Sequence, residues 1–104
     1  MTESASAAGS YADVATDRPE RYGKQLVSHL GRRNGGEWSA EDRSGWIDLG
    51  DGRATVTATD AGLRLELVAA PDQLPRLEDV VGSHLARFGE RDGLTIRWTR
   101  RDTV

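Results

Sequence analysis

The sequence predicts an α+β domain: a two-layer sandwich in which two helices cover one face of a mostly antiparallel sheet. Three observations predict this class. Two segments repeat apolar residues with helical spacing, several short segments alternate apolar and polar residues, and the strand-like segments mostly follow one another along the chain. The expected order of elements is β-α-β-β-β-β-α-β. A length of 104 residues fits one domain.

The N-terminal region is predicted to be a tail followed by a short strand. Residues 1–9 are small or polar and show no periodicity, so we expect a disordered tail. The single α+β domain is then expected over residues 10–104. Within it, residues 10–16 alternate weakly between polar and apolar side chains, which predicts the first strand.

The first helix is predicted to begin at Asp17. Its carboxylate is a candidate N-cap, Glu20 completes a capping box, and Pro19 fits the first turn. Gly23 interrupts the helical pattern, where a glycine is expected to cost up to about 1 kcal/mol relative to alanine. The helix should end before Asn34, which two glycines follow. Its inward face is predicted as Tyr22, Leu26, His29, Leu30 and Arg33.

Four strands are predicted between the helices. Residues 37–39 form a weak candidate, whereas residues 44–49, 53–59 and 63–68 alternate clearly. Turn signals separate the last three, because residues 50–52 are Gly-Asp-Gly and residues 60–62 are Asp-Ala-Gly. We therefore expect an antiparallel meander with one apolar and one polar face.

A second helix and a final strand complete the pattern. Asp72 is a candidate N-cap, Pro75 lies in the first turn, and Gly89 is expected to end the helix. Residues 94–98 are predicted as the last strand, with Trp98 in the core. The apolar stripe of the second helix is predicted as Leu77, Val80, Val81, His84, Leu85 and Phe88.

Composition narrows the classes of function. The net charge of −3 makes nucleic acid and anionic membranes unexpected partners, and no apolar run is long enough to span a membrane. The lack of cysteine excludes disulfides, thiolate metal sites and a cysteine nucleophile, and it suits the cytoplasmic location that we expect. The GxGxxG, P-loop, GxSxG and HExxH motifs are absent, and no cofactor follows from the sequence.

His29 and His84 are the sharpest candidates for a site. Each lies on the apolar stripe of its helix, so the two imidazoles approach each other if the helices are neighbours. Such a pair could bind a ligand, a metal ion or a haem iron. No motif fixes a third metal ligand, and the more common role of such histidines is structural, so both roles stay open. The nearest carboxylates by sequence are Asp13, Asp17, Glu78 and Asp79.

The polar face of the sheet supplies three further candidates for ligand binding. Trp46 falls on this face and can act as a stacking platform or contact point, unless it packs against the loop of Trp38. Arg64 and Arg97 share the face with threonines and other charged residues, which also occur on an ordinary solvated sheet. An open face of this kind also permits a homodimer.

Basic residues concentrate in two regions of an otherwise acidic chain. Residues 18–33 contain five basic residues against one acidic residue, and Arg97, Arg100 and Arg101 form a second group. Such groups attract anions such as phosphate or carboxylate-bearing siderophores. Exposed helix faces are also commonly charged without any ligand, so this pattern alone assigns no site.

Several stretches resemble a bacterial family known only as domain of unknown function 2218. The resemblance implies a small stand-alone bacterial protein, and an association with siderophore-interacting flavin reductases implies an accessory role in iron handling. Gly23 and Pro75 depart from the family, which more often has ordinary helix formers there. The resembling segments are ATDRPERY (15–22), KQLVSH (24–29), IDL (47–49), RLEDVV (76–81), HLARF (84–88) and LTIRW (94–98).

Three hypotheses for the function follow. The first is a non-catalytic binding or accessory module, serving iron or siderophore metabolism, with an anionic ligand or a siderophore-interacting reductase as its partner. The second is a small metal- or haem-dependent enzyme built around His29 and His84. The third is a structural homodimer that uses the open sheet face. The expected topology of the chain is similar to that of the TATA-binding-protein-like fold or a related two-layer fold, and this analogy assigns no function.

Overall fold

A computed structural model describes residues 7–101 of the chain and shows two helices and six strands. The order is the one that the sequence predicts. A single 3₁₀ turn at Glu90–Asp92 follows the second helix. The elements are β1 (Ala8–Ala15), α1 (Pro19–Leu30), β2 (Gly36–Ser39), β3 (Ser44–Asp48), β4 (Gly52–Ala58), β5 (Gly62–Ala69), α2 (Leu74–Phe88) and β6 (Thr99–Arg101).

The six strands form one sheet in the order β2-β3-β4-β5-β1-β6, with every neighbouring pair antiparallel. The register places Ala12 opposite Leu65, and Leu65 opposite Val56. All three are buried beneath the helices, while the alternate positions face the open side. The predicted α+β two-layer architecture is confirmed.

β1 occupies an inner position of the sheet, between β5 and β6. It begins at Ala8, two residues earlier than predicted, and the rest of the predicted tail up to residue 6 lies outside the described residues. Its low hydrophobicity reflects small side chains, because Ala8, Ala12 and Val14 are all buried against the core. Small side chains of this kind can still fill an inner strand when helices cover them.

The first helix differs from prediction at its start and in its inward face. Arg18 is the N-cap and makes no side-chain cap bond, so the predicted capping box from Asp17 is wrong; Glu20 instead accepts a hydrogen bond from Arg43. The buried face includes Gly23 and Val27 and leaves His29 exposed. The helix is therefore rotated so that its histidine lies at the edge of the core.

Gly23 allows the edge strand β2 to pack on α1. A Cβ atom on Gly23 would lie 2.7 and 2.8 Å from two atoms of the Trp38 ring. Trp38 therefore rests directly on the helix backbone, on the side of the sheet that the helices cover. The glycine that departs from a good helical pattern is required by this contact.

The final strand also differs from prediction. Residues 94–98 form no ladder, and β6 begins at Thr99, where it pairs with Gly9–Tyr11 through three residue pairs. Leu94, Ile96 and Trp98 are nevertheless half-buried against the core, as their alternation suggests. The segment packs along α2, and a Cβ atom on Gly82 would lie 3.3 Å from the Trp98 ring nitrogen. Alternating burial here comes from side-chain packing and not from strand pairing.

Glu78 ties α2 to the two strands at this end of the sheet. Its carboxylate accepts a hydrogen bond from Ser10 at 2.6 Å and two from Arg100 at 3.0 and 2.9 Å. The hydrogen bonds from Arg100 lower the pKa of Glu78, and the bond from Ser10 adds to this effect while burial opposes it.

The second helix also starts one residue later than predicted, with Gln73 in place of Asp72 as the N-cap. No helix in residues 7–101 combines the length and apolar character that a membrane span requires.

Candidate functional site

The two helices place His29 and His84 side by side. His29 lies in the last turn of α1 and His84 in the second half of α2, with ring centroids 5.1 Å apart and planes inclined at 43°. Phe88, one helical turn after His84, meets His29 edge-on at 5.5 Å. The two helices are neighbours, and the two imidazoles therefore approach each other, as the sequence predicts for that case.

The backbone of α2 fixes the orientation of His84. Its Nδ1 atom lies 2.7 Å from the carbonyl oxygen of Val80. Because a carbonyl oxygen only accepts hydrogen bonds, Nδ1 is the donor, and in the neutral imidazole Nε2 keeps its lone pair. A backbone carbonyl commonly orients ligand-binding histidines in this way.

The histidine pair lines a cleft of about 570 Å³ between the C-terminal end of α1 and residues 76–84 of α2, which we call the histidine cleft. One wall is apolar, with Leu30, Leu77 and Val80. The rim carries positive charge from Arg32 and Arg33, while Arg76 pairs with Asp51. The full lining is His29, Leu30, Arg32, Arg33, Asn34, Asp48, Leu49, Arg76, Leu77, Val80 and His84.

Two further concavities adjoin the histidine cleft along α1. A second concavity shares His29 and Arg32 with the cleft, and a third shares Arg21, Gln25 and Phe88 with the second. We call the three together the interhelical groove. Its basic residues are Arg18, Arg21, Lys24, Arg32, Arg33, Arg76, Arg87 and Arg91, and its acidic residues are Asp48, Glu90 and Asp92.

Tyr22 closes the far end of the interhelical groove. Its hydroxyl donates a hydrogen bond to Asp92 in the 3₁₀ turn. That bond, with burial and the charge of Asp92, raises the pKa of Tyr22. Because the bond links residues 70 positions apart, it holds the turn after α2 against the start of α1. The end of the groove is thereby fixed in shape.

The other predicted site residues lie elsewhere. Trp46 and Arg64 are on the open face of the sheet, on the side opposite the helices. Trp46 does not pack against Trp38, because the two lie on opposite faces; the Arg53 guanidinium covers its ring at 4.7 Å. Arg97 is exposed in the segment before β6. The structure therefore separates these three residues from the histidines.

The open face satisfies most of its own charges. Arg64 lies 3.1 Å from Asp13 and 3.9 Å from Glu66, and its guanidinium stands 4.6 Å from the centre of the Tyr11 ring. Arg101 approaches the same ring at 4.6 Å. These contacts occupy Arg64, one of the two arginines that the sequence offered as ligand-binding groups on this face.

The described residues 7–101 contain no group of three or more histidine, cysteine, aspartate or glutamate side chains that could hold a metal ion. Three of the four carboxylates named from the sequence lie against other parts of the fold. Asp13 pairs with Arg64, and Glu78 bonds Ser10 and Arg100. Asp79 lies beside Glu78 next to the segment before β6. Any ion held by the two histidines would take its other ligands from a bound molecule or water.

Sequence reasoning missed the contribution of the second helix to the charged groove. Arg87 and Arg91 join the basic cluster of residues 18–33 only because the end of α2 lies beside the start of α1. The available signal was the pair of exposed arginines that flank the predicted end of α2. Their partners in space depend on how the helices are rotated, which the pattern did not define.

The comparisons with known proteins place the chain in a family. The NMR structure of PA4090 from Pseudomonas aeruginosa superimposes with a TM-score of 0.64 at 26% sequence identity, covering 95% of this chain and 99% of that chain. No curated protein matches the chain significantly. The model of a family described as an uncharacterized protein conserved in bacteria matches residues 11–99. The chain therefore belongs to this bacterial family, domain of unknown function 2218.

Proposed function

We propose that this domain is a non-catalytic binding module that holds a small anionic ligand in the histidine cleft. The observation that carries the proposal is the His29–His84 pair, 5.1 Å apart, in a cleft that Arg32 and Arg33 also line. Guanidinium groups, and an imidazole in its protonated form, donate hydrogen bonds to carboxylate and phosphate oxygens, and arginine does so with two parallel bonds. A ligand with several oxygens can use more than one of these donors.

The apolar wall adds a second requirement on the ligand. Leu30, Leu77 and Val80 line the same cleft, and Leu77 is fully buried while Leu30 and Val80 are partly open. Binding sites for small organic molecules combine such apolar surface with a few polar groups. The ligand class that fits is therefore an organic anion with an apolar body, in preference to a free inorganic ion.

Iron chelates are the specific class that we propose, with the domain acting in the cytoplasm beside a siderophore-interacting reductase. The choice of iron rests on the family resemblance. Ferric complexes of carboxylate and catecholate siderophores are organic anions, and the basic rim of the cleft is compatible with their charge.

Calorimetric titration with a ferric carboxylate siderophore, a ferric catecholate siderophore and their gallium forms tests the proposal. We expect binding at micromolar concentration by at least one of them. The double variant His29→Phe, His84→Phe should weaken this binding about tenfold, because losing two hydrogen bonds to an anion costs roughly 1.4 kcal/mol or more. NMR shifts should concentrate on the residues of the cleft.

The matched control is the double variant Arg53→Gln, Arg97→Gln, which removes two exposed positive charges outside the cleft. It should leave the affinity within about twofold, since distant surface charges are screened by salt. Failure of every chelate to bind, or an equal loss in both variants, would reject the histidine cleft as the site.

A metal- or haem-dependent enzyme is the second candidate, and the orientation of His84 favours it. The contact with Val80 leaves Nε2 of the neutral ring free to coordinate. Titration with Co²⁺ and with hemin, followed by absorption spectroscopy, separates the two functions. A shift of the Co²⁺ d–d bands or of the hemin Soret band that is lost in His84→Gln would support the metal site, whereas spectra identical to those of the free ligands would exclude it.

A further inference from the structure

We infer that the second and third concavities of the interhelical groove dock an acidic segment of a partner protein. The inference concerns the second and third concavities, beyond the histidine cleft, and does not depend on a ligand in the cleft. Within residues 7–101, some basic side chains have a charged or aromatic partner in the domain and others have none.

The satisfied cations lie outside these two concavities. Ion pairs join Arg43 to Glu20, Arg64 to Asp13, Arg76 to Asp51 and Arg100 to Glu78. Arg53 and Arg101 rest on aromatic rings of the open sheet face. Each of these cations already has a partner within the domain.

Within residues 7–101, the remaining cations have no ion pair and no aromatic partner, and all but one line the interhelical groove. The exception is Arg97. The chain has a net charge of −3. Because the basic residues without a partner collect in the interhelical groove, this side of the molecule is strongly positive while other sides are acidic or neutral. A surface of this kind attracts a partner of opposite charge.

The spacing of these cations requires an elongated partner. Those of the second and third concavities follow α1 from its N-cap at Arg18 to Arg32 just beyond its end, and a helix of 12 residues is about 18 Å long. A small anion would reach only a few of them. A peptide of about six extended residues, or three helical turns, spans the whole length.

The groove has features that suit a peptide better than a uniform polyanion. Glu90 and Asp92 stand at its far end, where a phosphate at every position would be repelled. Gln25 lines both the second and third concavities and is exposed, so its amide can bond a peptide backbone. Phe88 is half-buried between them and offers an apolar contact. A segment that mixes carboxylates with apolar residues matches this surface.

The experiment measures fluorescence anisotropy of a labelled peptide of about 15 residues, rich in glutamate with leucine at every third or fourth position, at about 50 mM salt. We expect micromolar binding that weakens as salt increases. A peptide with glutamine in place of each glutamate should not bind. The reversal variant Arg21→Glu, Arg87→Glu should weaken binding about tenfold or more, because two attractions become two repulsions.

The control variant Arg53→Glu, Arg97→Glu carries the same change of charge outside the groove and should change the affinity by less than about twofold. Arg21 and Arg87 do not line the histidine cleft, so ligand binding there should persist in the reversal variant. If reversal impairs folding, as measured by the thermal unfolding midpoint, the milder variant Arg21→Gln, Arg87→Gln replaces it.

Several results would overturn the inference. These are no binding of the acidic peptide, an equal loss in the two variants, or peptide-induced NMR shifts on the open sheet face. Tighter binding of oligothymidylate or a heparin fragment than of the peptide would assign the groove to a polyanion. Self-association that the reversal variant abolishes, without peptide binding, would assign it to a second copy of the chain.

Discussion

Gly23 shows how a residue that weakens a helix can strengthen the fold. In an isolated helix, replacing a glycine by alanine gains about 1 kcal/mol. Here the Cβ atom would meet the Trp38 ring at 2.7 Å and the Leu63 side chain at 3.2 Å. The close approach between helix and edge strand is possible only without a side chain at this position.

We therefore expect Gly23→Ala to lower the free energy of unfolding by about 1–3 kcal/mol, since overpacking outweighs the gain in helix propensity. Urea unfolding followed by circular dichroism measures the change. A double-mutant cycle with Trp38→Leu provides the control, and the cost of Gly23→Ala should shrink in that background. A stabilising Gly23→Ala would contradict the packing seen here.

At the scale of elements, β1 is central to the sheet although its sequence is only weakly strand-like. Ala12 and Val14 are 1% exposed, and the strand pairs with β5 along its full length. The alternation that predicted this strand was correct. Its inner position could not be predicted, because small side chains are equally compatible with an edge.

Val14→Asp should destabilise the domain by about 3 kcal/mol or more, because it buries an unpaired carboxylate in the core. Thermal unfolding measures the effect. Ala15→Asp is the matched control, since Ala15 is exposed on the same strand, and it should change the stability by less than about 1 kcal/mol. Similar melting temperatures for wild type and Val14→Asp would place the strand outside the core.

The contact of Glu78 with Ser10 and Arg100 makes the free energy of unfolding depend on pH. The folded-state pKa of Glu78 is lowered, so its stabilisation is present above the unfolded pKa and is lost as pH falls through the folded pKa. Glu78→Gln should cost about 1–3 kcal/mol at neutral pH, as expected for a lost charged hydrogen bond. The difference from wild type should narrow as pH falls below about 4.5, the ordinary pKa of a glutamate.

Urea unfolding at neutral and acidic pH tests this dependence on Glu78. Asp79→Asn is the neighbouring control, because Asp79 is exposed and it is Glu78 that bonds Ser10 and Arg100 of the strands. A constant difference between wild type and Glu78→Gln across this pH range would show that the carboxylate has the same pKa in the folded and unfolded states.

For the whole molecule, local patterns predicted the order of elements and long-range contacts set the details. The turns at Gly50–Gly52 and Asp60–Gly62 were predictable because glycine there adopts positive φ, 85° at Gly50 and 153° at Gly62. The hydrogen bonds between Ser10 and Glu78 and between Tyr22 and Asp92 could not be predicted, because they join residues 68 and 70 positions apart. A single sequence carries no local signal for such pairs.

The same distinction between local patterns and long-range contacts applies to the candidate site. The helical stripes were enough to predict that His29 and His84 face each other if the helices are neighbours. They did not reveal that Trp46, Arg64 and Arg97 are remote from this pair, nor that Arg87 and Arg91 extend the basic cluster. Which faces of the helices and sheet meet is decided by packing, for example by Trp38 on Gly23.

The pairing of β1 also determines when the domain can complete its folding during synthesis. Of the six described strands, β1 leaves the ribosome first, yet its partners are β5, about fifty residues later, and β6 at the C-terminal end of the described residues. β2 to β5 can form a hairpin series as they emerge, whereas β1 must wait until both flanking strands exist. We therefore expect the N-terminal strand to be among the last to be protected from hydrogen exchange, and folding to be slower than for a chain of this length with sequential strand order.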